Sequence, residues 1–291
     1  MGTHQSNRFD IAIVGAGFAG MYALKQALDS GRSAIVFERG DDVGGTWYWN
    51  RYPGARCDVQ SMEYSYSFDK QLQQDWQWTE RFAAQPEILR YAQHVADRFQ
   101  LRDHILFNTV VASADYQEAD RSWRIETGEG DEVFAKTCIM ATGCLSSTNR
   151  PAFDGIDVFE GEQYHTGLWP HHPVDFSGKR VGIIGTGSSA IQSIPIIAES
   201  AAHLTVFQRT ANYSIPAHNG PIDEAYAADV RSSYDDFRER NKQMFAGFGA
   251  DQARSDLSVF EVSDEERETR FKAKWQEGGL GFTSTFGDLG R

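Results

Sequence analysis

A chain of 291 residues with 28 Lys+Arg against 41 Asp+Glu has a formal charge of −13. Its 41% hydrophobic and 24% charged residues are the composition of a folded globular protein, not of a disordered chain. At roughly 100–200 residues per domain the length predicts two domains, and the negative field argues against a nucleic-acid backbone or an anionic membrane as partner. Cys57, Cys138 and Cys144 make neither an even disulfide set nor a C-x-x-C pair, which points to a reducing cytoplasm and no metal site. The uncharged run over residues 11–24 is too short to cross a bilayer. With three glycines and no cleavage site it is also unlike a signal peptide, so the protein is expected to be soluble and cytoplasmic.

Residues 9–14 are an apolar, β-branched run of strand length that enters Gly15-Ala16-Gly17-Phe18-Ala19-Gly20. Residues 21–28 then have the spacing of a buried helix, stopped by Gly31, and a second strand over residues 33–37 closes on Glu38. This is a βαβ unit with a parallel sheet. Residues 47–82 are crowded with aromatics. A helix follows over residues 86–99, then strands over 105–112, 123–127, 132–135 and 137–141, the last running into Thr142-Gly143. After Pro151 the pattern restarts: a strand over residues 180–184, Gly185-Thr186-Gly187-Ser188-Ser189-Ala190, a helix to about residue 202, and a strand over 204–207 ending on Gln208-Arg209. The series therefore occurs twice, about 170 residues apart, as two nucleotide-binding units would require. Residues 222–245 are charged and amphipathic, and Ser263-Asp264-Glu265-Glu266 is a capping box opening a helix to Trp275. Residues 279–291 return to no strand.

A glycine turn of this kind carries information only in context. Here it follows a strand, opens a helix and is answered by the acid Glu38 roughly 20 residues on. Gly15 serves the tight turn, Gly17 admits a pyrophosphate, Gly20 lets helix and strand pack, and the helix N-terminus attracts the anion, with Phe18 counted among the FAD-binding residues. Glu38 would accept hydrogen bonds from a ribose diol. In the second turn Ala190 takes the third place, and the following strand ends on Arg209-Thr210. A guanidinium there pairs with a 2′-phosphate that a carboxylate would repel, which favours NADP over NAD; a solvated surface charge is the other reading of Arg209. Two unlike sites predict FAD at the first turn and NADPH at the second, with a hydride passing from nicotinamide to flavin. The strand ending Ala141-Thr142-Gly143 supports the flavin assignment. Trp47, Tyr48 and Trp49 suit either a flavin wall or plain core, Asp58 either a site or a turn after Pro53-Gly54, and His165 a structural hydrogen bond.

The segment Phe159-Glu160-Gly161-Glu162-Gln163-Tyr164-His165-Thr166-Gly167-Leu168-Trp169-Pro170 fits F-x-G-x-x-x-H-x-x-x-W-P at every fixed position. On this motif, and on the loop from Gly44 to Asp58, the chain resembles the type I Baeyer–Villiger monooxygenases of the flavin-containing monooxygenase superfamily, most of all the phenylacetone and cyclododecanone types. The likeness extends over residues 9–279. It implies that NADPH reduces FAD and that one oxygen atom of O2 enters a ketone to give an ester or lactone. It further implies that Glu38 holds the FAD ribose, that Thr46, Trp47, Tyr48, Trp49 and Tyr64 line the flavin, and that Val111 lies by the adenine. Asp58 would stand on the flavin face, tuning an arginine. Arg56, Cys57 and Asp58 would approach the nicotinamide. Gly185, Thr186, Gly187, Ser188, Ser189, Ala190 and Gln192 would cradle the NADP pyrophosphate, with Arg209 and Thr210 on its 2′-phosphate. His165 and Trp169 would belong to a linker that shifts as NADPH binds.

The expected fold class is α/β: two Rossmann-like dinucleotide-binding units with a helical insertion, the C-terminal completion absent. Residues 1–150 are assigned to the FAD-binding portion, 151–218 to the linker and the first half of the NADP-binding unit, and 219–291 to a truncated helical insertion. Members of the resembled family are longer by roughly a domain or more and carry their flavin-side arginine beyond that insertion, where no position here matches its motif. The chain is thus expected to be the N-terminal part of such an enzyme. Two other readings stay open. A flavin N- or S-oxygenating monooxygenase shares both glycine turns but has a different linker, and a nucleotide-binding protein without turnover gains weight from the missing C-terminal part, because an unfinished sheet exposes apolar surface. A disulfide reductase is disfavoured by the unpaired cysteines.

Overall fold

The computed structural model describes residues 7–145, 147–244, 246–249 and 255–289. The chain divides into two compact units, Met1–Pro53 with Gln85–Asp175, and Gly54–Ala84 with Phe176–Arg291.

The first unit is built on strand β1 (Arg8–Val14), whose Ile11, Ala12 and Ile13 are buried, as a strand covered on both faces must be. It pairs in parallel with β2 (Ala34–Phe37) on one side and β6 (Glu132–Met140) on the other, with Val14 opposite Phe37 and Met140. Helix α1 (Phe18–Asp29) connects β1 to β2 and buries Met21, Leu24 and Ala27 at helical spacing. These pack with Ile11, Ile13, Val36 and Val43, and with Ala92 and Ala96 of helix α4 (Gln85–Arg98). On the other face Ala12 and Phe37 meet Ile125, Val133 and Ala135. The six-stranded sheet has the order β3-β2-β1-β6-β5-β4, completed by β3 (Ile105–Leu106), β4 (Val111–Gln117) and β5 (Ser122–Thr127).

Three expectations are corrected here. The strand predicted over residues 105–112 is two: β3 runs parallel to β2, while β4 pairs antiparallel with β5 at the far edge. Between them Asn108 turns the chain in the left-handed region (φ 54°), and the N–H groups of Asn108 and Thr109 donate to the carbonyls of Gly40 and Glu38. The two strands predicted over 132–135 and 137–141 are the single strand β6, since β5 takes its first half and β1 holds it in parallel from Phe134 onward. Helix α1 opens at Phe18 rather than at residue 21, directly out of the glycine turn.

In the second unit β7 (Arg180–Ile184), helix α5 (Ser188–Ala198) and β8 (His203–Phe207) repeat the βαβ pattern with a two-stranded parallel sheet. Helix α5 ends earlier than predicted, because the N–H of Ala202 donates to the Lys179 carbonyl and leads the chain into β8. The amphipathic stretch after residue 222 forms two helices, α6 (Glu224–Ser232) and α7 (Tyr234–Lys242), broken at Ser233; its predicted end, Phe245, lies outside the described residues. Helix α8 (Asp264–Glu277) starts where the capping box placed it, with Ser263 accepting from the Glu266 N–H at 3.2 Å. The aromatic-rich segment is divided: Trp47, Tyr48 and Trp49 belong to the first unit, and residues 54–82, with helix α3 (Lys70–Asp75), to the second. There Arg238 of α7 donates to Gln73, to the Glu63 carbonyl and to Ser65.

One carboxylate ties the three central strands of the first sheet together. Asp10 of β1 accepts from the Ser33 N–H and hydroxyl at the entrance to β2, at 3.0 and 2.8 Å, and from Lys136 of β6 at 2.8 Å. The Lys136 hydrogen bond, aided by those from Ser33, lowers its carboxyl from 3.8 to about 2. A depressed carboxylate stabilises the fold above its unfolded value, and that stabilisation is lost as pH falls from 3.8 toward 2. Asp10→Asn should therefore lower the urea midpoint at pH 7, with the deficit shrinking as the pH approaches 2. A deficit that is constant over this range would show that the ionised carboxylate is not what matters.

Candidate functional site

The first glycine turn is shaped by crowding. Gly15 stands at φ 102°, and a Cβ there would come within 2.6 Å of the Ala141 carbonyl oxygen at the end of β6. At Gly20 a Cβ would collide with the Gly15 carbonyl, and at Gly45 (φ 54°) it would lie 2.7 Å from the Gly17 Cα. Three glycines thus bring β1, α1 and the Gly44-Gly45 loop together, and α1 begins at Gly17 with no side-chain cap. Helices α3, α6 and α8 are capped by Asp69, Asp223 and Ser263. Leaving such a cap out forgoes about 1 kcal/mol and leaves backbone N–H groups, with roughly half a positive charge, at the helix end. Glu38, 4% exposed, fixes the turn from β2: its two carboxylate oxygens accept from the N–H groups of Ala16 at 2.7 Å and Gly40 at 2.8 Å.

The second turn repeats the backbone of the first. Gly185 also stands at φ 102°, and its N–H donates to the Phe207 carbonyl at 2.8 Å as that of Gly15 does to Phe37. Gly187 begins α5 with φ −73° and ψ −179°, against −76° and −171° at Gly17, again without a side-chain cap. What differs is the space: a Cβ at Gly185 or Gly187 would meet nothing within 4 Å. Neither backbone angle nor packing requires glycine at 187. A ligand approaching the backbone would. Two side chains close on Thr186, Gln208 donating to its hydroxyl and Asn212 to its carbonyl, each at 2.9 Å. Ser188 is exposed, Ser189 and Ala190 are half-buried, and Arg209 and Thr210 are exposed beyond the end of β8.

The sequence model of the family described as flavin-binding monooxygenase-like matches residues 8–232. The chain belongs to the flavin-binding monooxygenase-like family. Among curated relatives it is 45% identical over 280 residues to a Baeyer–Villiger monooxygenase from Pseudooceanicola batsensis, covering 96% of this chain and 51% of that protein. It is 40% identical to a phenazine N-monooxygenase from Lysobacter antibioticus, over 98% of this chain and 52% of that one. Among solved structures, an oxidised steroid monooxygenase bound to NADP matches with a TM-score of 0.91 and 51% identity, over 97% of this chain and 53% of that one. The resemblance drawn from the 159–170 motif is thereby confirmed, as is the α/β fold. The chain spans about half the length of the curated relatives it matches.

Within this family member the other predicted residues are distributed as follows. Trp47 and Tyr48 are buried in α2 (Thr46–Trp49), with Thr46 and Trp49 half-buried. The Tyr48 hydroxyl donates to Asp41 at 2.6 Å, and Arg39 lies over the Trp49 ring at 4.3 Å. Phe18 packs on the α1 core, and Val111 packs at the start of β4 on the Ile125 side of the sheet. His165 accepts from the Gly167 N–H through Nδ1 at 3.1 Å, and the rings of Trp169 and Tyr164 stand 5.4 Å apart. His171, just past the motif, meets Tyr48 edge-on at 5.1 Å, and burial, with the nearby Arg51 charge, holds its imidazole below the usual range.

Arg56, Cys57, Asp58 and the half-buried Tyr64 lie in the second unit. The Arg56 guanidinium is engaged by Glu80 at 2.9 Å and by the Phe82 carbonyl at 3.2 Å. Asp58 is exposed and accepts from Gln192 at 3.2 Å. Sequence reasoning missed Gly45, Gln85, which donates to the Trp47 carbonyl, and the Gln208–Asn212 pair on Thr186. Only Asn212 and Gln208, flanking a strand end that was already under suspicion, left a local trace.

Burial pushes the Cys57 thiol up to about 11, whereas Cys144 is exposed. Iodoacetamide at pH 8 should label Cys144 and spare Cys57 until the protein is denatured, as read by peptide mass spectrometry. Equal labelling of the two in the native protein would contradict this burial.

Proposed function

We propose that the chain carries the FAD- and NADPH-binding elements of a Baeyer–Villiger monooxygenase, in which a ketone, O2, NADPH and a proton give an ester or lactone, water and NADP+. One oxygen atom enters the bond beside the carbonyl and the other leaves as water, the two electrons coming from NADPH. The observation that carries this reading is the pair of matched, side-chain-free helix starts at Gly17 and Gly187, with unlike groups at the ends of the following strands. Both starts fit a pyrophosphate.

The residues present also fit the two nucleotides differently. Glu38 is pre-set by two backbone N–H groups, and each of its oxygens retains a lone pair for a ribose hydroxyl. An arginine or lysine in that place could not accept. At the second turn Arg209 and Thr210 are free of the sheet and offer a cation and a hydroxyl to a 2′-phosphate. Gln208 and Asn212 hold Thr186 so that the turn keeps its shape before the ligand arrives. Bound FAD supplies the two-electron chemistry. The aromatic pair Trp47 and Tyr48 excludes water from its own side of the α2 loop, with the Tyr48 hydroxyl satisfied by Asp41. His165 and Trp169 belong to a linker that shifts as NADPH binds, a role supported by the complete 159–170 motif.

The similarity to a phenazine N-monooxygenase supports a second reading, oxygen transfer to an amine nitrogen. The ketone reading is preferred because the 159–170 motif is complete.

The FAD-loaded protein should lose its visible flavin band on anaerobic addition of NADPH; an unbleached flavin would defeat the assignment. Arg209→Ala should weaken NADP+ by about 30-fold, the loss of a ~2 kcal/mol charge-assisted hydrogen bond, and NAD+ by less than about threefold. Equal weakening of the two would remove the 2′-phosphate role.

A further inference from the structure

Gln192 lies on α5, one turn from Ser188, and its side-chain amide is turned toward residues 56–58 of the same unit. Its Oε1 accepts from the Arg56 N–H at 3.2 Å, and its Nε2 donates to the Arg56 carbonyl at 3.1 Å and to the Asp58 carboxylate at 3.2 Å. A carboxamide that meets both backbone groups of one residue behaves like a neighbouring strand. The true strand partner lies elsewhere: Arg56 bridges Ala84, and the Cys57 N–H donates to the Ala83 carbonyl at 3.0 Å. The segment is therefore held on one side by backbone and on the other by the Gln192 side chain.

Gly54 makes the contact possible. It stands at φ 78°, where any Cβ would run into the Gln192 carbonyl and lie 3.1 Å from the Ile196 Cγ1. The Pro53-Gly54 step thus lays the following residues directly on α5. Asp58 itself is exposed, and the Gln192 amide is a neutral donor that steadies a carboxylate without cancelling its charge. The same helix presents its bare N-terminus at Gly187, four residues before Ile191 and five before Gln192.

We infer that Gln192 is a positioning residue: it fixes the backbone of Arg56 and the carboxylate of Asp58 to the helix that receives the second nucleotide. It acts through Asp58 and not as a ligand of the pyrophosphate. The link to nucleotide binding rests on the function proposed above, while the clamp itself does not.

Residue-resolved hydrogen exchange and NADP+ affinity of the FAD-loaded protein test this together. In Gln192→Leu the Arg56 amide should exchange at least about tenfold faster, with the Cys57 amide changed by less than about threefold. Unchanged exchange at Arg56 overturns the inference. In a cycle with Asp58→Asn, each single variant should weaken NADP+ by about fivefold and the double variant no further than Asp58→Asn alone. A double variant that loses the product of the two factors also overturns it. Gln192→Glu guards against misfolding of the leucine variant, since it keeps the acceptor for the Arg56 N–H and loses the donor. It should leave Arg56 protected and still weaken NADP+ about fivefold or more, and undiminished affinity in it would contradict the role of the donor. A wild-type protein that binds no NADP+ would remove the proposed function, and exchange at Arg56 would then decide the clamp alone.

Discussion

Two helices in this protein begin on a glycine that has just left a parallel strand, and neither has a side chain to close its first turn. The helix dipole and the first-turn N–H groups left without a side-chain cap give each start a positive charge of roughly half a unit, which favours an anion. Much else follows from keeping those ends bare. The tight turn needs φ near 102° at Gly15 and Gly185, and the strand before it must run parallel to the strand after the helix. Such a connection places the helix start at the carboxyl end of the strand it leaves, where open α/β sheets take their ligands.

In the proposed function the same turn serves two chemistries because its surroundings differ. At the first turn Gly15 is packed against Ala141 and Gly17 against Gly45, and Glu38 is buried with each oxygen accepting from a main-chain donor. Around Gly187 there is open space, and the polar groups that reach the turn are flexible side chains, Gln208 and Asn212 on Thr186. A buried acid suits a ribose held for the life of the protein. An exposed arginine after an open turn suits a nucleotide that comes and goes.

Much of this was legible in the residues. Local patterns gave the two βαβ units, the α8 capping box and the contrast between Glu38 and Arg209, because turn chemistry and strand ends are short-range signals. Strand boundaries were less readable. β6 looked like two strands, since Lys136 breaks its apolar run, yet Lys136 is there to reach Asp10 on β1. The strand after residue 105 looked single, since nothing in its composition announces that Asn108 will adopt the left-handed region to satisfy Gly40 and Glu38. The contacts that shape the sites were the least readable of all: Gly45 against Gly17, Gln85 on Trp47 and Gln192 on Arg56 join residues far apart in sequence, and a glutamine has no periodicity to betray it.

The central claim is that one chain holds two dinucleotide sites that are separate and chemically unlike. Equilibrium dialysis with FAD and NADP+ present together tests it most directly. The account predicts one FAD and one NADP+ bound per chain, with neither displacing the other. Mutual displacement, or a second FAD taken up at saturation in place of NADP+, would contradict it.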